Sequence, residues 1–305
     1  MRMSPIIRFD QFILHSDDEK STSFQIRKAL GEYSIADVEI FEAKTCTSII
    51  SLLTNKIISL SEPSISNKQV IFKATIQGTF KEIIDVENKL NKLLRIDTSL
   101  FTPLISSSQR FHDSINIEKT NYSVAFVLLI FSLESIPNIL YEQKKHWAKR
   151  KKLVRFVEKY VKNERFTKEE IRQLDFQGKQ KNIDLVFREL LSQSYQFRCD
   201  YVHDGKMLPT LSKTANRLSM AFISNDQVSL FPSYNWLRRI TNLALVNFLN
   251  QEKCKGRNSL SQYFHSYEIA KFKAKRAFPK GQKLDENYVY LQQLTDDFFK
   301  FRKRL

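Results

Sequence analysis

One stretch of the chain concentrates residue types that can move protons and hold phosphate: Tyr195-Gln-Phe-Arg-Cys-Asp-Tyr-Val-His-Asp-Gly205. It sets Arg198 and His203 five positions apart, near the end of an amphipathic segment, with Gly205 just beyond. Those groups suffice to cut RNA without a metal. A base takes the proton from the 2′-hydroxyl, an acid protonates the leaving 5′-oxygen, and a cation stabilises the charge on the phosphorane. Imidazole, which ordinarily titrates near neutrality, suits both proton transfers. Guanidinium stays charged and offers a planar fork to phosphate oxygens. The spacing constrains the geometry. Five helical positions turn by about 500°, roughly 140° past a full turn, so Arg198 and His203 leave a regular helix in different directions. Either the helix end frays or a second copy completes the site. Taken alone, an Arg and a His at this spacing is also a frequent accident of sequence.

Other residues invite chemistry more weakly. Glu134 lies in an apolar segment, where an unpaired carboxylate is costly; it reads as a structural partner for a cation or as a positioner of Arg198. Tyr195, one turn before Arg198, reads as packing. Lys144, Lys145, Lys149, Arg150, Lys151, Lys152 and Arg155 surround Trp147. That mixture suits RNA, through phosphate attraction and base stacking. A solvated helix start fits it equally well, and His146 reads as part of that solvated face. The five His residues (His15, His112, His146, His203 and His265) form no HxH, HExxH or Cys–His spacing. Cys46, Cys199 and Cys254 are too scattered for a zinc cage or a disulfide framework, and the expected compartment is reducing. No GxxxxGK[ST], GxGxxG or GxSxG occurs, so neither a metal nor a cofactor is expected.

The elements that must position these residues fall into three expected regions. Residues 1–105 read as a small α+β domain. Ile6–Leu14, Val70–Ile76 and Tyr33–Phe41 are its candidate strands, and Ser61–Lys68 reads as a loop. Thr47–Leu60 fits either period. From Lys81 the period turns helical, with Ile83, Ile84, Val86, Leu90, Leu93 and Leu94 on one stripe. Residues 106–252 read as a four- or five-helix bundle. Its helices are expected at Tyr122–Tyr141, entered through Asn121 and bent or stopped at Pro137, then beyond Lys144–Arg155, at Asn182–Val202 and at Trp236–Leu249. Residues 253–305 read as a basic helical extension.

Composition sets the outer limits. The chain has 305 residues, 42% hydrophobic and 27% charged, close to globular averages. Only 6 Gly and 7 Pro argue against a large barrel or sandwich. The run Val124–Leu133 is about half the length needed to cross a bilayer, and Arg8 and Asp10 interrupt the N-terminal apolar residues. A soluble, cytoplasmic protein is expected, with no membrane partner. Residues 1–110 hold 14 basic and 13 acidic side chains, whereas residues 111–305 hold 35 and 20. That excess implies a polyanionic partner for the second region, and nucleic acid is the commonest such partner.

In this context the chain resembles the Apea-like branch of the HEPN superfamily. Tyr195, Arg198, His203 and Gly205 fit the family's Tyr-x-x-Arg-x4-His-Gly setting, with Asp204 inserted. Phe126–Ser135, including Glu134, is similar to the family's earlier apolar helix, and Trp236–Leu249 to its closing helix. The resemblance spans roughly residues 110–250. It implies an all-α bundle that dimerises and brings two Arg-x4–6-His motifs into one cleft. It further implies a metal-independent endoribonuclease leaving 2′,3′-cyclic phosphate and 5′-hydroxyl ends, often as a toxin or an anti-phage effector; a third possibility for this chain is a toxin held silent by a partner antitoxin. Arg198 and His203 are then catalytic, and Glu134, Tyr195 and Asp200 support them. The position after the arginine, often polar in active members, is Cys199 here, with Asp200 next. The alternative is a non-catalytic HEPN module that dimerises and binds RNA or a partner protein.

Overall fold

The computed structural model describes residues 5–29, 36–66, 69–162, 164–176, 183–205, 219–224 and 227–265. Over these the chain is mostly helical, with an antiparallel five-stranded sheet near its N-terminus and a two-stranded hairpin further on. The sheet starts with a hairpin where one strand was expected. β1 (Ile6–Phe9) and β2 (Phe12–His15) pair with Phe9 opposite Phe12. Asp10 makes the turn at φ 52°, a left-handed conformation that Asp tolerates better than most residues. β3 (Ser23–Ala29) follows, with Phe24 and Ile26 buried between half-buried Gln25 and Arg27. β4 (Ile58–Ser66) and β5 (Gln69–Ile76) complete the order β1-β2-β3-β5-β4. β5 matches the expected strand at Val70–Ile76. β4, however, runs through the expected loop at Ser61–Lys68. It is an edge strand with a register shift between Leu60 and Pro63, a place where a proline's missing N–H is tolerated.

The expected strand over Tyr33–Phe41 is corrected as well. From Ala36 onward the chain is α1 (Ala36–Thr54), and residues 30–35 lie outside the described set. Ala43, Cys46, Ile49, Ile50 and Leu53 of α1 are all buried. Helical periodicity wins here because α1 is covered by the sheet on one side and by helices on the other. Lys28 of β3 pairs with the buried Glu42 of α1. The single helix expected over Lys81–Leu94 is two, α2 (Phe80–Ile84) and α3 (Glu87–Leu93), separated at Val86 with φ −103° and ψ 3°.

α4 (Thr98–Ile117) starts at Asp97, whose carboxylate caps Ser99 N, a strongly favoured N-cap arrangement. It runs straight through the expected division at residue 105. Met1–Arg257 forms one compact unit, and Asn258–Leu305 a second. Of the second, only residues 258–265 are described, ending in helix at 260–265, so most of the expected 253–305 extension lies outside the described residues. Within the first unit, α1 and α4 share a buried polar seam. Ser51 Oγ lies 2.9 Å from His112 Nδ1, and Asn116 Nδ2 lies 2.9 Å from His112 Nε2.

α5 (Tyr122–Leu140) is the hub, packed against α4, α6, α8 and α9. Asn121 caps it as expected, through Val124 N, and it continues three residues past Pro137. By length and composition α5 would pass for a membrane span, but 61% of its apolar window is buried inside the fold. α6 (Lys149–Tyr160), α7 (Lys168–Phe176) and α8 (Ile183–Asp204) follow, then the hairpin of β6 (Ser219–Ser224) and β7 (Gln227–Pro232). α9 (Tyr234–Gln251) closes the unit, capped by Ser233.

Candidate active site

Glu134 is the only charged side chain of α5, and it faces Arg198 of α8. Arg198 Nη2 donates to Glu134 Oε2 at 3.2 Å. Arg198 Nε stands 3.2 Å from Oε1 as a charge contact, off the line of a hydrogen bond. The two residues are 8% and 9% exposed, so this is a buried ion pair rather than a solvated one. The guanidinium also lies over the Phe131 ring at 4.7 Å and near the Tyr195 ring at 5.9 Å, favourable cation–π geometry in a dry setting. Glu134 holds the Nε/Nη2 edge of the fork.

Burial raises the Glu134 pKa above the ordinary carboxylate value, and Arg198, Lys149 and Arg110 pull it back down. Three cations therefore gather around one carboxylate. Arg110, on α4, donates to Phe131 O at 3.0 Å and to Ser135 Oγ at 2.8 Å. Sequence reasoning missed it, because nothing in its spacing links it to the motif; only the α4–α5 packing does. Tyr195 is half-buried, and its hydroxyl is pushed up to about 12, by burial first and then by Glu134 and Cys199. It stays a neutral phenol across the physiological range.

His203 lies at the other extreme. It is exposed in the last turn of α8, which stays helical through Asp204. Gly205 ends the helix at φ 66°, its N–H bonded to Tyr201 O at 3.1 Å, the usual left-handed stop. No fraying separates Arg198 from His203. Arg198 points into the bundle and His203 outward, so one subunit does not bring the two together. Asp200 is tied locally, accepting from Gln196 Nε2 at 2.7 Å.

The basic run reaches the same end of the bundle. Arg188 of α8 pairs with Glu158 of α6, and further along Lys149 of α6 acts on the carboxylate that holds Arg198. α6 and α8 therefore run antiparallel, and the start of α6 lies beside the last turns of α8. Lys149, Arg150, Lys151 and Lys152 fill the first turn of α6, which has no acidic residue and no side-chain cap. Cations there oppose the helix dipole, at a cost of roughly 0.3–1 kcal/mol each. α6 forms despite this because Leu153, Phe156, Val157 and Tyr160 are buried. Trp147 is half-buried just before it, with Lys151 over its ring at 4.7 Å and His146 edge-on at 6.3 Å. Lys144 and Lys145 are exposed in the preceding turn, and Arg155 is drawn to Glu158 at 3.3 Å. Among the described residues, no group of His, Cys, Asp and Glu could hold a metal ion. In comparisons with protein-family models, curated proteins and solved structures, nothing matches this chain.

Proposed function

We propose that the chain is a metal-independent endoribonuclease of the Apea-like HEPN type, a cytoplasmic toxin or defence effector acting as a homodimer. The observation that carries this reading is the arrangement at the end of α8. A guanidinium is fixed by Glu134, a histidine is exposed five residues on, and a cationic helix start lies beside both. RNA lies along the cations of α6 and Lys144–Lys145, with Trp147 beside a base. Arg198, oriented by Glu134, offers Nη1 to the phosphorane. His203 takes the 2′-hydroxyl proton, and the partner's His203 gives a proton to the leaving 5′-oxygen. The 2′-oxygen forms a bond to phosphorus as the bond to the 5′-oxygen breaks, leaving a 2′,3′-cyclic phosphate and a 5′-hydroxyl. Subunit mixing tests this. An excess of His203→Ala protein, exchanged into wild-type dimers, suppresses cleavage beyond simple dilution. Unchanged wild-type activity in the mixture would mean that each subunit works alone.

A second reading draws on the same ion pair. Arg198 is buried and neutralised by Glu134, as it would be in a binding module that retains the motif for packing alone. In that case the purified wild type cuts no RNA.

A further inference from the structure

The two faces of the five-stranded sheet differ sharply. The inner face carries Phe9, Phe12, Ile26 and Phe72, all buried. α1 and α2 lie on that side, through the Lys28–Glu42 ion pair and through Phe24 against Phe80 at 5.6 Å. On the outer face the register aligns Arg8, Ile13, Arg27, Ile71 and Ser64 in one rank across the five strands. The neighbouring rank holds Ile6, His15, Gln25 and Lys73. Ile6 is 57% exposed, Arg8 and Lys73 are exposed, and Ile13, Arg27 and Ile71 are half-buried. No carboxylate stands in the first rank; in the second, the bulge of β4 places Ser61 and the exposed Glu62 opposite Lys73. The N-terminal region is nearly neutral in sequence, yet folding sorts its charges so that the Arg8–Ile13–Arg27 rank is cationic.

We propose that this face docks an acidic, aliphatic helix of a partner protein. Adjacent strands are about 4.8 Å apart, so Arg8 and Arg27 stand roughly 10 Å apart with Ile13 between them. A helix rises 1.5 Å per residue, which puts positions i and i+7 at about 10.5 Å, with i+3 and i+4 between. Carboxylates at i and i+7 and aliphatic side chains between them match the Arg–Ile–Arg rank. Nucleic acid fits less well: bases want aromatic platforms, and neither rank has an aromatic ring other than His15. The chain's own residues 266–305 are no better, with 10 basic and 5 acidic side chains. A second copy of the face would repel the first.

The test uses the full-length protein and a fluorescent synthetic helix with Glu at i and i+7 and Leu at i+3 and i+4. Fluorescence anisotropy gives saturable binding. Arg8→Glu combined with Arg27→Glu weakens it by roughly tenfold or more, with an unchanged melting temperature, and Lys73→Glu weakens it separately. Three results would overturn the proposal. The helix fails to bind at millimolar concentration; it binds the charge-reversed protein as tightly as wild type; or single-stranded RNA displaces it and loses affinity for the same variants.

Discussion

At the scale of single residues, the proposed chemistry rests on a guanidinium buried against a carboxylate. Removing one partner of a buried pair leaves an uncompensated charge, typically at a cost of about 3–5 kcal/mol. Glu134→Gln should therefore lower stability on that order, measured by urea unfolding. Replacing both partners with Leu should recover most of the loss, because well-packed apolar side chains often substitute for buried pairs without penalty. The double variant should stay folded yet cut no RNA, which separates a packing role from a catalytic one. His112 offers a test by pH. Burial, and secondarily Lys44, lowers its pKa from 6.5 to about 4. Below pH 6.5 the unfolded chain takes up a proton that the folded chain refuses until about pH 4. The His112 contribution should fall with acid across that window by roughly 3 kcal/mol, opposed there by Asp113, whose carboxyl burial raises to about 6. His112→Asn should lack that slope; an identical pH profile in the variant would assign the loss to other groups.

At the scale of elements, α6 places its cations where its own helix dipole resists them. Replacing Lys149, Arg150, Lys151 and Lys152 with Gln should raise the melting temperature slightly while weakening RNA binding and flattening its salt dependence. Lower stability and an unchanged salt slope would instead mark the run as a solvated surface. α8 and α9 were legible from sequence because both are long and periodic, with Gly205 marking the end of α8. The sheet was less so. Ile6–Leu14 reads as one strand because the turn at Asp10–Gln11 contains neither Gly nor Pro. Pro63 disguised β4, since a proline speaks against a strand anywhere except at an edge. α1 was masked by β-branched residues whose burial on several sides blurs any period. Of the site, Arg198, His203 and Glu134 were readable by type and spacing. Arg110 and Phe131 were not, because a helix packing creates that contact.

At the scale of the whole molecule, the charge excess is confined to residues 111–305, and among the described residues the cations that open α6 lie beside the last turns of α8. The division expected at residue 105 was not legible because α4 crosses it, and α1 joins the sheet to the bundle through the His112 seam. On the proposed mechanism, the divergence of Arg198 and His203 on α8 calls for a second copy to complete the site. Light scattering at working concentration should show it, and a monomer that cuts RNA would refute the shared site. The most direct measurement is incubation of purified protein with RNA in EDTA, with the ends of the products identified. Cleavage should survive chelation and leave 2′,3′-cyclic phosphate and 5′-hydroxyl ends. Cleavage should fall by about 10²–10⁴-fold in His203→Ala, a substitution at an exposed helix end that leaves the melting temperature unchanged. Cleavage that vanishes in EDTA and returns with a divalent ion, or a His203→Ala protein that cuts at the wild-type rate, would contradict the proposed mechanism.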